Sequence, residues 1–255
     1  MIIQDAPAKK ISIDTEADVR LHLAAVYRLL AHFDMDDLIF THASARVPGQ
    51  DAFLINPFGL FFNEVSPASL VKLDFDGNIV GSGRHAANAA GFVIHGAILR
   101  ARPDVNCVIH THTRAGVAIS CLADGILPMN QFAIEFHERI GYHDYEGIAF
   151  NMDEGERLDR DIKDKIALVL RNHGLLTVGA TIPAAFYFTY YLEQTARVQM
   201  DVLATGRTIT MPDAATIGTT MQQYTSARDP AAAGHRMWPA LLRLLDAAYP
   251  TWRDC

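Results

Sequence analysis

The sequence predicts one α/β layered domain built on a mixed sheet. Three features lead there: an N-terminal segment with apolar residues at helical spacing, short β-type runs broken by a hairpin signal, and alternating helix and strand segments further along. In DTEADVRLHLAAVYRLLAHFD, Val19, Leu23, Val26, Leu29 and Leu30 share one helical face, and Asp14 or Thr15 can cap its start. Strand-like runs follow at Leu38–Arg46, Ala52–Ile55, Leu70–Phe75 and Asn78–Val80, the last two divided by the turn pair Asp76-Gly77. Asn88 to Arg100 reads as a helix stopped near Pro103, and Val105–His110 as a compact apolar strand. Arg114–Leu122 is helical, Gly147–Phe150 a short strand candidate, and Asp153–Lys165 a charged amphipathic helix. Ala167–Leu170 and Leu175–Val178 are two strand pieces meeting at a polar turn. A long helix over Ile182–Thr205 opens on Pro183, and Met237–Ala248 is the last helix candidate.

The 255 residues are 50% hydrophobic and 20% charged, enough to bury a sizeable core. We read 1–255 as a single domain, with 207–255 a C-terminal tail extension. A net charge of -7 without a Lys/Arg cluster argues against a nucleic-acid partner. No apolar run reaches the roughly 20 residues that span a bilayer, and none marks a signal peptide, so no membrane partner and a cytoplasmic location are expected. Cys107, Cys121 and Cys255 show no CxxC spacing and are expected as reduced thiols.

Eleven histidines are more than packing needs. In VIHTHT, His110 and His112 stand two apart at the end of an apolar strand, so both imidazoles can face one ion. His173, in RNHGLL, lies at another strand end, where Gly174 is expected to let the backbone turn tightly. Three neutral imidazoles with an open fourth position make a catalytic metal site. Spacing alone leaves this reading and a structural one evenly matched, because the third ligand is distant in sequence. Of the others, His95 reads as a core residue, His22 and His32 as surface or structural helix residues, and His235 as a tail residue without a partner. His42, His85, His137 and His143 stand in or beside polar turns and can line a pocket.

GFVIHGAILRARPDVNCVIHTHT resembles the class II aldolase/adducin family, as do NPFGLFFNEVSPASLVKLDFDGNIVG, YHDYEG and RNHGLLTVG, together covering roughly Val19 to Val202. The resemblance implies a three-layer α/β/α fold around a largely antiparallel or mixed sheet, and a homo-oligomer, commonly a tetramer with sites between subunits. It assigns a divalent metal to His110, His112 and His173, zinc first, with manganese, iron or cobalt as alternatives.

The departures narrow the chemistry. The family's sugar-phosphate aldolases carry an acid–base glutamate nineteen residues before the first histidine of HxH, where this chain has Gly91. His42, in THAS, stands at the position of their phosphate-gripping Asn, and Ala89-Ala90 replaces a serine pair. Their tyrosine proton donor aligns with Gln131. A phosphorylated sugar substrate is therefore not expected. The expectation is a metal-dependent carbon–carbon lyase, decarboxylase before aldolase, acting on a small non-phosphorylated hydroxy- or oxo-carboxylic acid. Aldol cleavage needs an acid and a base beside the scissile bond, whereas decarboxylation needs only a proton donor afterwards. Catalytic candidates are His137, Glu138 and His42, and substrate-binding candidates are Arg84 and His85. The alternatives are a non-catalytic, adducin-like oligomeric scaffold and, third, a sugar-phosphate aldolase or epimerase.

Overall fold

A computed structural model describes residues 11–81, 85–148, 153–226 and 232–254. Its seven strands form one sheet in the order β3-β2-β1-β4-β7-β6-β5. The strands are β1 (His42–Arg46), β2 (Ala52–Ile55), β3 (Val71–Asp74), β4 (Cys107–Thr111), β5 (Ile140–His143), β6 (Ala167–Leu170) and β7 (Gly174–Gly179). Every neighbouring pair is antiparallel except β5–β6. The fold is therefore α/β with a mixed, mainly antiparallel sheet, as expected.

Alternation along each strand sorts side chains between two faces. Phe53, Ile55, Val108, Leu168 and Leu176 face α2 (Ala89–Ala101) and α5 (Glu154–Ile162). Ala43, Ala45, Leu54 and Ile109 face α1 (Glu16–His32) and α8 (Trp238–Ala248), while α3 (Arg114–Ser120), α4 (Gln131–Phe136) and α6 (Ile182–Ala204) continue that layer over β6 and β7. Among the described residues no helix is long and apolar enough to cross a membrane.

Of the two candidate caps, Thr15 starts α1: its hydroxyl accepts from Asp18 N at 3.1 Å, and the Asp18 carboxylate accepts from Thr15 N at 3.0 Å. The first strand begins at His42 and not at Leu38, because Leu38 and Thr41 both adopt left-handed backbone (φ 52° and 64°) that breaks the ladder. The turn at Asp76-Gly77 forms, with Gly77 at φ 88°. Its return arm is reduced to a single bridge, Leu73 to Ile79. Gly147 and Ile148 lie in a bend, and residues 149–150 of that strand candidate fall outside the described residues. Sequence reading missed β5, α4 and α7 (Ala214–Ser226); none of the residues of α7 is buried.

The second half of the tail is not an appendage. Trp238, Leu245 and Trp252 are buried in the same core as α1, and the Trp238 indole N–H donates to His22 Nδ1 at 2.9 Å. His235, read as partnerless, is buried: its Nδ1 accepts from Ile11 N at 3.2 Å, and its Nε2 lies 3.3 Å from the Thr181 hydroxyl. Burial lowers the His22 pKa from 6.5 to about 4, which keeps Nδ1 free to accept. A histidine with a depressed folded-state pKa gives stability that is intact above 6.5. That stability is lost as the pH falls towards 4, because the unfolded chain takes up the proton first. Urea midpoints should therefore drop between pH 6.5 and 4, by about 1 kcal/mol per pH unit for a single such proton. His22→Asn should flatten part of that slope; an unchanged slope would exclude His22 as the source.

Candidate metal centre

β4 carries His110 and delivers His112 just past its end, while the turn joining β6 to β7 presents His173. Register explains the meeting: β4 and β7 are paired with Thr111 opposite Leu175, so the β6–β7 turn sits beside the end of β4. Ser120, at the end of α3, pins that turn, its carbonyl accepting from Asn172 N at 3.1 Å and its hydroxyl from His173 N at 3.1 Å. Asn172, not Gly174, takes the left-handed conformation, at φ 57°. Gly174 matters for another reason: a Cβ there would overlap the Thr111 carbonyl oxygen.

The Nε2 atoms of His110 and His112 lie 2.8 Å apart, and those of His112 and His173 also 2.8 Å. All three atoms fall within 4.8 Å of one another. The other ring nitrogens decide what these contacts mean. His110 Nδ1–H donates to Leu175 O at 3.0 Å, and His112 Nδ1–H to Asp37 Oδ2 at 3.1 Å. With those protons committed, the Nε2 atoms of His110 and His112 point lone pairs at one another. That contact repels unless a cation lies between them, so the donor set fits a divalent ion. Burial, then the nearby His112, pushes the His110 pKa well below 6.5, and the same causes in the same order bring His173 to about 4. All this favours neutral rings, the form that binds metal. Asp37, 75 residues from His112, was missed: nothing in MDDLIF distinguishes it from its acidic neighbours Asp34 and Asp36.

His42 lies directly opposite His110 across the β1–β4 ladder, with ring centroids 5.2 Å apart. Its Nδ1 meets His95 Nε2 at 2.9 Å, and His95 Nδ1 meets the Ser44 hydroxyl at 2.6 Å. All three residues are buried, and burial first, then the facing His95, holds His42 well below its usual pKa. His95, expected as a core residue, is one, but it also buttresses His42. Gly91, at the start of α2, lies under the His42 ring: a Cβ there would stand 2.8 Å from His42 Cδ2.

The other candidates lie elsewhere. His137 and Glu138 fall between α4 and the start of β5, at the end of the sheet opposite the three histidines. Glu138 is exposed with φ 60°, so within one chain neither joins the site. His85 is exposed and lines a separate surface cleft with Lys72, Val80 and Arg253. Arg84 lies outside the described residues.

Comparison with known proteins agrees with this architecture. Residues 21–200 match the family model described as the class II aldolase and adducin N-terminal domain. The crystal structure of an aldolase II superfamily protein from Pseudomonas syringae is 42% identical, with a TM-score of 0.89 over 98% of both chains. L-fuculose 1-phosphate aldolase from Glaciozyma antarctica is 25% identical, with a TM-score of 0.84 over 97% of this chain and 98% of that one. Alpha-adducin of Rattus norvegicus is 42% identical over 191 residues, spanning 73% of this chain but 26% of the adducin. The chain belongs to the class II aldolase and adducin family.

Proposed function

We propose that this chain is a metal-dependent carbon–carbon lyase that decarboxylates a small, non-phosphorylated hydroxy- or oxo-carboxylic acid. The observation that carries the reading is the pair of opposed Nε2 lone pairs on His110 and His112, joined by His173. A purely structural cluster would not aim acceptors at one another. A divalent ion held there, zinc before manganese, iron or cobalt, supplies Lewis-acid chemistry, a sink for the charge left as a carbon–carbon bond breaks.

The chain's own residues set what that chemistry acts on. Leu175 O and Asp37 fix the His110 and His112 rings. His95 takes up Nδ1 of His42, so Nε2 is the atom left to hydrogen-bond a substrate or to return a proton to its carbon. No side chain grows from Gly91 to supply the second acid–base group that aldol cleavage requires. His137 and Glu138 can act only if a second copy brings them to the site. A homotetramer and a cytoplasmic location belong to the same proposal, as do Arg84 and His85 as substrate contacts.

Two other readings have support. The likeness to alpha-adducin favours a scaffold, which would need no resident ion; the likeness to L-fuculose 1-phosphate aldolase favours a phosphorylated sugar. Elemental analysis of the purified protein beside His110→Ala separates the first. We expect about one ion per chain at the three histidines, lost in the variant, and carbon dioxide release from hydroxy-carboxylic acids by the parent. A parent that holds no ion there after reconstitution with zinc, manganese or iron points to the scaffold. Metal-dependent cleavage of a sugar phosphate, without carbon dioxide, would establish the third reading.

A further inference from the structure

A second histidine is built like a metal ligand, away from the first three. His143, at the end of β5, is 4% exposed, and its Nδ1–H donates to Asp161 Oδ2 at 2.8 Å. That bond leaves a lone pair on Nε2, which is buried and has no hydrogen-bond partner. The atom faces Glu154 Oε1 at 3.6 Å, from the first turn of α5, and Glu146 Oε1 at 4.0 Å. Arg157 pairs with Glu146 and Arg160 with Asp161, which leaves the Glu154 carboxylate facing the imidazole. A void of about 10 Å³, lined also by Tyr145 and His173, lies among these groups.

A lone pair facing carboxylates needs a positive charge between them, and two species can supply it: a proton on Nε2 or a metal ion. The spacing separates them. A charge-assisted N–H···O bond closes to about 2.7–2.9 Å, and nothing on the page holds Glu154 back from that distance. Two ligand atoms each about 2.1 Å from a shared ion stand roughly 3 to 3.5 Å apart. The observed 3.6 Å is close to that ligand edge and far from the hydrogen bond. A carboxylate on the far nitrogen is also the usual support for a metal-binding histidine.

We propose a second divalent-cation site formed by His143 Nε2 and the Glu154 carboxylate, with Glu146 Oε1 as the third donor. One nitrogen and two carboxylate oxygens suit a first-row ion such as Mn²⁺ or Zn²⁺. The ion ties the end of β5 to the first turn of α5, beside His173. The site shares no ligand with the three-histidine centre and stands whether or not the lyase reading does.

The probe is Mn²⁺ titrated into metal-free protein, followed by the electron paramagnetic resonance of the free ion, with Zn²⁺ as competitor. The double variant His110→Ala, His112→Ala disables the first centre. It should still bind one Mn²⁺ per chain, and adding Glu154→Gln should weaken that binding at least tenfold. If circular dichroism shows the double variant unfolded, the comparison moves to the intact chain, where Glu154→Gln should remove one of two bound ions. A folded double variant that takes up neither ion overturns the site, as does an intact chain whose stoichiometry ignores Glu154→Gln. His143 would then be an imidazolium among carboxylates. Loss of the first ion with retention of this one counts against the lyase alone.

Discussion

Gly174→Ala should unfold more of this protein than the size of a methyl group suggests, at a cost of about 3 kcal/mol. It should also weaken metal binding at the three histidines more than tenfold. The added Cβ meets the Thr111 carbonyl, a backbone atom that cannot rotate aside, so β4 and β7 must separate. Those strands carry the histidines: His110 and His112 on one side of the seam, and His173 immediately before Gly174 on the other. Gly218→Ala, in the exposed helix α7 with open space around it, is the matched control. It should be neutral or slightly stabilising, by up to about 1 kcal/mol, because alanine is the better helix former. Urea denaturation and equilibrium dialysis measure both effects. If Gly174→Ala matched the parent in both, the close approach of the strands would not be what holds the three rings together.

Placing a glutamate at position 91 should fail, and fail because of His42. The new Cβ would lie 2.8 Å from His42 Cδ2 and 3.1 Å from Ile55 Cδ1, in a buried spot already filled. Overpacking and a buried carboxylate together should cost about 3 kcal/mol or more. His42→Asn removes the obstructing ring, so Gly91→Glu should be tolerated better in that background. A double-mutant cycle should report a coupling of about 1–2 kcal/mol. Simple additivity would mean that His42 and a side chain at 91 do not compete for one space. The expected coupling explains the sequence pattern in packing terms: a histidine at 42 and a glycine at 91 are one substitution, not two.

What the sequence made legible was whatever repeats at short range. The two-residue step in VIHTHT placed His110 and His112 on one face, and alternation sorted most strands into their layers. His173 became a strong candidate through the family resemblance, and the pairing of β4 with β7 supplies the physical reason it is near. Partnerships made across long separations were not legible. Asp37 reaches His112 from a loop shaped by left-handed Leu38 and Thr41, and His143 finds Asp161 on a later helix. His235 reads as partnerless because its contacts, Ile11 and Thr181, come from distant segments. Gly174 was noticed for the wrong property: the turn needs left-handed backbone at Asn172, while Gly174 provides clearance. Strand β5 escaped because four residues, IGYH, hold too little pattern to register.

The three histidines also impose an order on assembly. His173 follows His112 by 61 residues, and the segment between them contains α3, α4, β5, α5 and β6. A growing chain that has released only β4 owns a two-nitrogen site of low affinity. The third nitrogen arrives only when the β6–β7 turn folds back against the end of β4. Ion capture thus comes after the longest loop in the sheet has closed, and it acts as a latch on that closure. Because only the closed form binds well, the ion's free concentration becomes a setting for how long the finished protein lasts: at a thousandfold excess over its dissociation constant it adds about 4 kcal/mol.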